Sequence, residues 1–302
     1  GRGPAQKPRA GGGVANAGSA PSDPDPGQLL VCSWNVDGLE EALLEARTNE
    51  VISIILTLEK DGTRLVPDII FLQEVVPETY YKYKMRFERA GYAILYDTRG
   101  PPQNKPYFTL AFTRPATLEV AAALRENFSR TRMYRDLLVM EGIHKSTGCS
   151  LRLLTTHLES QKDGEAERRH QYSIALERLT LYDEGFALVI GDLNIREGEV
   201  KKEPLAKVVT DSWVAAGKPP HLKATWDMKL NTNKRFQGNF TPRARFDRCY
   251  YHHTDLDDHR ITQTSFQFIG TKKMTEGVFP SDHWGLLVGL RITKKGQSFG
   301  KI

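Results

Sequence analysis

Apolar residues in this chain come in short bursts, and their spacing switches between the period of a strand and that of a helix. Leu29–Trp34 and Ala187–Ile190 are nearly continuous apolar runs, the form a strand takes when both faces are covered. Asp68–Gln73, announced by Pro67, is a third such strand. Leu39–Leu58 sets Leu39, Leu43, Val51, Ile52, Ile55 and Leu58 largely on one helical face. Glu78–Arg89 and Gly164–Leu181 also read as helices, the latter with Ala166, Ile174, Leu176 and Leu179 facing inward. Tyr92–Tyr96 and Tyr107–Thr113 return to strand. Thr117–Thr156 reads as several strands joined by turns such as Ser146-Thr147-Gly148. The loop-rich remainder holds strands near Phe246–Tyr251, Ile261–Phe268 and Gly285–Ile292. Many strands with a few long helices predict an α/β sandwich, two sheets packed face to face with helices outside.

Both ends of the chain break this pattern. Residues 1–28 are rich in Gly, Pro, Ala and Ser with almost no large apolar side chain, so they cannot offset their own ordering entropy. A disordered tail over 1–28, one catalytic domain over 29–292 and a polar tail over 293–302 are expected. The net charge of +5 sits largely in these tails, leaving a body close to neutral, so global charge selects no class of partner. Cys32, Cys149 and Cys249 have no ligand-like spacing and read as reduced, buried thiols. Apolar runs such as Val51–Leu58 are too short and too interrupted to span a membrane. A soluble intracellular monomer is the expectation.

Polar residues recur where buried strands end, the usual seat of catalytic groups. They are Asn35 and Asp37 in Ser33-Trp34-Asn35-Val36-Asp37-Gly38, and Glu74 in Phe71-Leu72-Gln73-Glu74-Val75. His157 follows in Thr156-His157-Leu158-Glu159-Ser160, then Asp192 and Asn194 in Gly191-Asp192-Leu193-Asn194. Asp247 in Arg245-Phe246-Asp247-Arg248 and Asp282 with His283 in Pro280-Ser281-Asp282-His283-Trp284 complete the set. Singly, each is most simply a turn, a cap or a solvated side chain. In this order, over nearly all of residues 29–292, they resemble the endonuclease/exonuclease/phosphatase superfamily.

That resemblance implies metal-assisted attack of water on an anionic phosphodiester. Glu74 then holds Mg²⁺, for which Mn²⁺ is a plausible substitute, because hard oxygen ligands suit that ion. Asp192 orients and deprotonates water, and Asn35 and Asn194 offer neutral donors to phosphoryl oxygens. His283 stabilises developing charge with Asp247 holding it protonated, while Asp282 is an outer metal ligand or a cap for His283.

A narrower resemblance, through Thr156-His157-Leu158-Glu159-Ser160 and Phe279-Pro280-Ser281-Asp282-His283-Trp284-Gly285, is to the tyrosyl-DNA phosphodiesterase 2 family. Weaker matches at Tyr107-Phe108-Thr109, Met133-Tyr134-Arg135, and Thr225-Trp226-Asp227 with Asn231 and Asn233 agree with it. By that resemblance Tyr107, Arg135, His157, Ser160, Trp226 and Phe246 touch phosphate or the DNA end. The implied partner is a DNA 5′ end carrying a tyrosyl adduct, the remnant of a stalled topoisomerase, with nuclear repair as the setting and a cytoplasmic pool compatible. An abasic-site endonuclease, a deadenylase, an inositol-phosphate phosphatase or an inactive DNA-end-binding scaffold remain open at this point. Full-length vertebrate members carry a small ubiquitin-binding domain upstream, which residues 1–28 cannot form. Lys60–Val66 lengthens one connection, and 97–106 and 234–244 match poorly.

One further stretch points to nucleic acid from its own composition. Lys229–Arg248 holds six basic residues and one acidic, interleaved with Phe236, Phe240 and Phe246, just after Trp226. Basic groups beside aromatic platforms suit a single-stranded end, although a solvated charged loop fits the pattern equally.

Overall fold

The apolar run Gln28–Asn35 forms β1, and its two faces serve different cores. Leu29 and Val31 enter a cluster between two sheets, whereas Leu30, Cys32 and Trp34 pack toward helices on the outside. This is why the run is apolar without alternation. The computed structural model describes residue 1 and residues 25–235, 238, 240–254 and 258–296. Eleven more sheet strands follow: β2 (Ile69–Val75), β3 (Ala93–Ile94), β4 (Phe108–Thr113), β5 (Leu118–Asn127), β6 (Asp136–His144), β7 (Cys149–His157), β8 (Phe186–Asp192), β9 (Thr210–Asp211), β10 (Asp247–His253), β11 (His259–Ile269) and β12 (Gly285–Lys294).

One six-stranded sheet has the order β11-β12-β1-β2-β4-β3, the other β9-β10-β8-β7-β6-β5. The pairs β1/β2 and β7/β8 run parallel while their neighbours are antiparallel. The carboxyl ends of four central strands therefore open at one end of the sandwich. Helices α1 (Leu44–Leu56) and α2 (Pro77–Arg89) cover the first sheet through Val51, Ile52, Ile55, Tyr80, Tyr83 and Phe87. Helix α3 (Glu165–Thr180) covers the second through Tyr172, Ala175, Leu176 and Leu179. Each such aliphatic or aromatic side chain contributes roughly 1.5–3 kcal/mol by leaving water.

Some expectations need correction. Residues 25–28 are tied to the sheet, with Asp25 paired to Arg291 at 2.6 Å and the Ile292 N–H donating to the Gly27 carbonyl. Residues 2–24 and 297–302, like Phe236, lie outside the described residues. The first helix starts at Leu44, not Leu39, because Leu43 adopts positive φ as its N-cap; Leu39 and Leu43 are exposed. Ala166 is exposed, and the inner face of α3 instead buries Arg168 and Gln171, which serve a neighbouring loop. Lys60–Val66 contains most of a small hairpin, Glu59–Lys60 against Thr63–Arg64. The three cysteines are free and buried in β1, β7 and β10. No described helix is long and apolar enough to cross a membrane.

Candidate active site

The alternation that builds the core also builds the site. On the face between the sheets β1 reads Leu29, Val31, Ser33, Asn35, and β2 reads Ile69, Phe71, Gln73. Across the gap β7 reads Leu151, Leu153, Thr155, His157, and β8 reads Phe186, Leu188, Ile190, Asp192. One continuous face thus passes from apolar to polar toward the carboxyl ends. Gln73 forms the floor, its Nε2 donating to Ser33 Oγ and Thr155 Oγ1, both at 3.1 Å, and so bridging the sheets.

Strict alternation would turn Glu74 away from this face. Instead the β2–β4 pairing slips between Leu72 and Val75, and Glu74 takes φ 57°. A bulge of this kind re-aims a side chain at a strand end. The Gly38 N–H donates to the Glu74 carbonyl at 3.1 Å, and a Cβ at Gly38 would overlap that oxygen, so only glycine lets the two strand ends approach.

Asp192 sits at the centre, 1% exposed. Its Oδ1 accepts the Asn194 N–H (3.0 Å), and its Oδ2 accepts Asn35 Nδ2 (2.9 Å). His157 Nε2 lies 3.3 Å from the same Oδ2, and His283 Nε2 lies 3.8 Å away. Arg135 Nη1 meets His157 Nδ1 at 2.7 Å; a guanidinium only donates, so Nδ1 accepts and Nε2 carries the proton toward Asp192. Burial, then the charges of Arg135 and His283, holds His157 well below the usual histidine range, hence neutral. His283 is the opposite case. Burial opposes its charge, but Asp247, whose Oδ2 is 2.7 Å from Nδ1, together with Asp192 and Asp282, raises it well above 6.5. Burial pushes Asp192 up to about 7 against the pull of His283, a value suited to accepting a proton near neutrality.

A second group of carboxylates lies beside this one. Burial and the charge of Asp282 push Asp37 up to about 7, and the same two causes raise Glu74. Asp37 Oδ2 is buried without a hydrogen-bond partner. Three mutually repelling oxygen-donor carboxylates, one with an orphaned oxygen, fit the Mg²⁺ expected at Glu74. Asp192, Asp247 and His283 also bring ligand atoms within 4.8 Å of one another. In that cluster Asp247 Oδ2 already engages His283 Nδ1 at 2.7 Å.

The remaining expected residues flank the centre. The Arg135 guanidinium lies 5.1 Å over the Tyr107 ring, and the Tyr107 hydroxyl donates to the Met133 carbonyl at 3.1 Å. Trp226 Nε1 donates to Asp282 Oδ2 at 3.1 Å, and its ring packs 5.6 Å from Phe246, over which Arg196 sits. Asn194 Nδ2 donates to the Leu158 carbonyl at 3.2 Å, which fixes a loop and commits one of its two amide hydrogens. Ser160 stands apart from the Asp192 cluster, beside Met133, in a cavity of about 240 Å³ also lined by Arg130 and Arg132.

Sequence reasoning passed over several supporting side chains. Asp37 was in a quoted motif but given no role. Arg168 is fully buried; it pairs with Glu199 at 2.6 Å and donates to the carbonyls of Glu159, Ser160 and Gln161. Arg47, also buried, donates to the carbonyls of Val36, Asp37, Glu40, Ala42 and Pro280. Arginines on otherwise apolar helix faces were the available signal.

Comparison with known proteins agrees with this geometry. The profile of the Endonuclease/Exonuclease/phosphatase family matches residues 32–283. Tyrosyl-DNA phosphodiesterase 2 of Gallus gallus is 35% identical over 258 residues, 84% of this chain. The chain spans 64% of that relative's length. The Xenopus laevis protein of the same name is 32% identical over 276 residues, 91% of this chain and 69% of its own. The crystal structure of D. rerio TDP2 complexed with single strand DNA product superimposes with a TM-score of 0.76 at 29% identity, covering 87% of this chain and 99% of that one. Truncated Caenorhabditis elegans TDP2 gives 0.71 at 30% identity, covering 87% and 98%. This chain therefore belongs to the endonuclease/exonuclease/phosphatase family, whose members are metal-dependent, and it is a homologue of tyrosyl-DNA phosphodiesterase 2.

Proposed function

We propose that this protein is a Mg²⁺-dependent phosphodiesterase that releases tyrosine from the 5′ phosphate of DNA. The observation that carries this reading is the division of labour around Asp192. One neutral imidazole and one imidazolium flank a single buried carboxylate, and a separate carboxylate group with Glu74 stands beside them. Glu74 is the residue that would hold Mg²⁺, with Asp37 and Asp282 close to it in charge; the bound ion supplies positive charge to phosphoryl oxygens.

Asp192, fixed by Asn35 and the Asn194 N–H, takes a proton from water as the water oxygen bonds to phosphorus. His283, kept cationic by Asp247, stabilises the charge that builds on the phosphoryl oxygens. Arg135 and His157 face the same centre and orient the ester. The bond from phosphorus to the phenolic oxygen then breaks. Tyrosine leaves as phenolate and is protonated by solvent, while DNA retains its 5′ phosphate. Among the described residues, Asp192 serves as base, Asp247 is engaged by His283, and Asp37, Glu74 and Asp282 are assigned to the metal, so no carboxylic acid is left to protonate a leaving group. That favours a phenol, with a pKa of about 10, over an alkyl alcohol several units higher.

The stalled topoisomerase remnant as substrate, and the nucleus as the place of action, belong to the same proposal; a tagged full chain imaged with and without topoisomerase poison tests the location. The activity is tested by turnover of 5′-phosphotyrosyl DNA, 3′-phosphotyrosyl DNA, abasic duplex, oligo(A) and inositol phosphates, each with Mg²⁺ and with chelator. Fastest turnover of the first, chelator-sensitive and leaving an end that ligase accepts without a kinase, is expected. Faster turnover of the abasic duplex, or a product that requires a kinase, overturns the reading.

A further inference from the structure

Among the described residues of the basic Lys229–Arg248 stretch, Lys234 is the one that reaches the carboxylates beside Glu74. Its Nζ lies 3.2 Å from Asp37 Oδ1 and 2.9 Å from Glu40 Oε2, and it also feels the charge of Asp282. The loop that carries it is stapled to the loop that carries Asp282. Asn231 Nδ2 donates to the Ser281 carbonyl at 2.8 Å. Asn233 donates to the Phe279 carbonyl and accepts the Phe279 N–H, each at 2.8 Å. An ammonium at the end of a flexible stem is thereby delivered to one place.

The other cation near Asp37 is Arg47, 3.9 Å away, and its guanidinium hydrogens are spent on backbone carbonyls. Lys234 is therefore the cation that meets the Asp37 and Glu40 carboxylates directly, while His283 and Arg135 act on Glu74. Without it, Asp37, Glu40, Glu74 and Asp282 would face bulk cations with one more unit of uncompensated negative charge. Clustered oxygen ligands in that condition, Asp37 buried and the others partly exposed, favour a divalent ion.

We propose that Lys234 is a built-in counter-ion that restricts the Asp37–Glu74–Asp282 group to a single divalent cation. This rests on the reading that Glu74 holds the metal. It makes Lys234 a positioning residue for metal number, acting through Asp37 and not on the substrate.

The test counts Mn²⁺ bound to the substrate-free full chain, from the electron paramagnetic resonance signal of the free ion, so it needs no turnover. Wild type is expected to bind one Mn²⁺ and Glu74→Gln none. Lys234→Leu removes the charge and keeps an aliphatic stem; it is expected to bind two, the second at least tenfold more tightly than any weak second site of wild type. Lys234→Arg is expected to return to one. Circular dichroism confirms that each variant is folded, which the 30% exposure of the Lys234 side chain allows. One Mn²⁺ in both wild type and Lys234→Leu, with affinities within twofold, overturns the counter-ion proposal and leaves Glu74 as ligand intact. Loss of Mn²⁺ in Lys234→Leu also overturns it. One Mn²⁺ retained by Glu74→Gln overturns the reading beneath it.

Discussion

Replacing Asp247 by Asn isolates the charge that holds His283 protonated while keeping the size of the side chain. Asp247 Oδ2 is 2.7 Å from His283 Nδ1. At an effective dielectric of about 20, unit charges some 4 Å apart interact by about 4 kcal/mol, or roughly three pKa units. Asp192, 3.8 Å from Nε2, and Asp282 remain and support part of the elevation, so a fall on the order of one to three units is expected. The sign follows from the imidazolium being the active form: its elevated pKa extends activity upward, and lowering it withdraws activity from the basic side first. The assay is kcat against pH from 5.5 to 9.5 on a 5′-phosphotyrosyl oligonucleotide at saturating Mg²⁺. The basic limb of Asp247→Asn should move down by at least one unit, with the deficit smallest at the acid end. A basic limb that stays in place while kcat falls would mean that Asp247 orients His283 without charging it, and the electrostatic reasoning would be wrong.

Glu74→Gln and Asp192→Asn should each lower kcat by roughly 10²–10⁴-fold or more while circular dichroism stays native; near-normal turnover in either would remove that residue from the mechanism. Trp226→Ala and Phe246→Ala should raise KM on long DNA and spare a minimal phosphotyrosine ester, since stacking on an aromatic is worth about 1–3 kcal/mol. Equal losses on both substrates would place those rings in the fold and off the DNA path. In metal-free protein, Asp37 and Asp192 have folded pKa values of about 7 against an ordinary 3.8. The stability they contribute is present below the ordinary value and lost as pH rises through about 7, with a ceiling of ~4 kcal/mol per group. Calorimetry should show Tm falling between pH 5 and 8, with Mg²⁺ restoring part of it and Asp192→Asn flattening the slope; a rising Tm would contradict the assignment.

The strand ends were legible in the sequence because each closes an apolar run with a polar residue, as at Asn35, Glu74, His157 and Asp192. Their convergence was not, since it depends on two parallel strand pairs opening at the same end of the sandwich, and pairing leaves no mark on a single strand's pattern. Leu39 and Leu43 fit the helical period, five residues ahead of the true start of α1; the interruption lies in the left-handed backbone at Leu43, which apolar spacing does not encode. Asn194 also ties its loop to the Leu158 carbonyl, a partner from a distant part of the chain that its own motif does not reveal. Lys234 was visible only as one charge among six. Its meaning comes from Asn231 and Asn233, which tether it to a loop some fifty residues away in sequence.

The Gln73 bridge gives the site a mechanical character. Glu74 belongs to one sheet and Asp192 to the other, and the amide of Gln73 to Ser33 and Thr155 is, beside the Asn35–Asp192 bond, a polar rivet that fixes how the two layers slide against each other. Apolar packing tolerates a small translation between layers, whereas in-line displacement loses its geometry with an error of about an ångström. Turnover is therefore a gauge of interlayer alignment, more sensitive than spectroscopic signals of folding. Under rising denaturant, activity should vanish while secondary structure is still complete, and weakening the rivet with Gln73→Leu should widen that interval without touching a single group that meets the substrate.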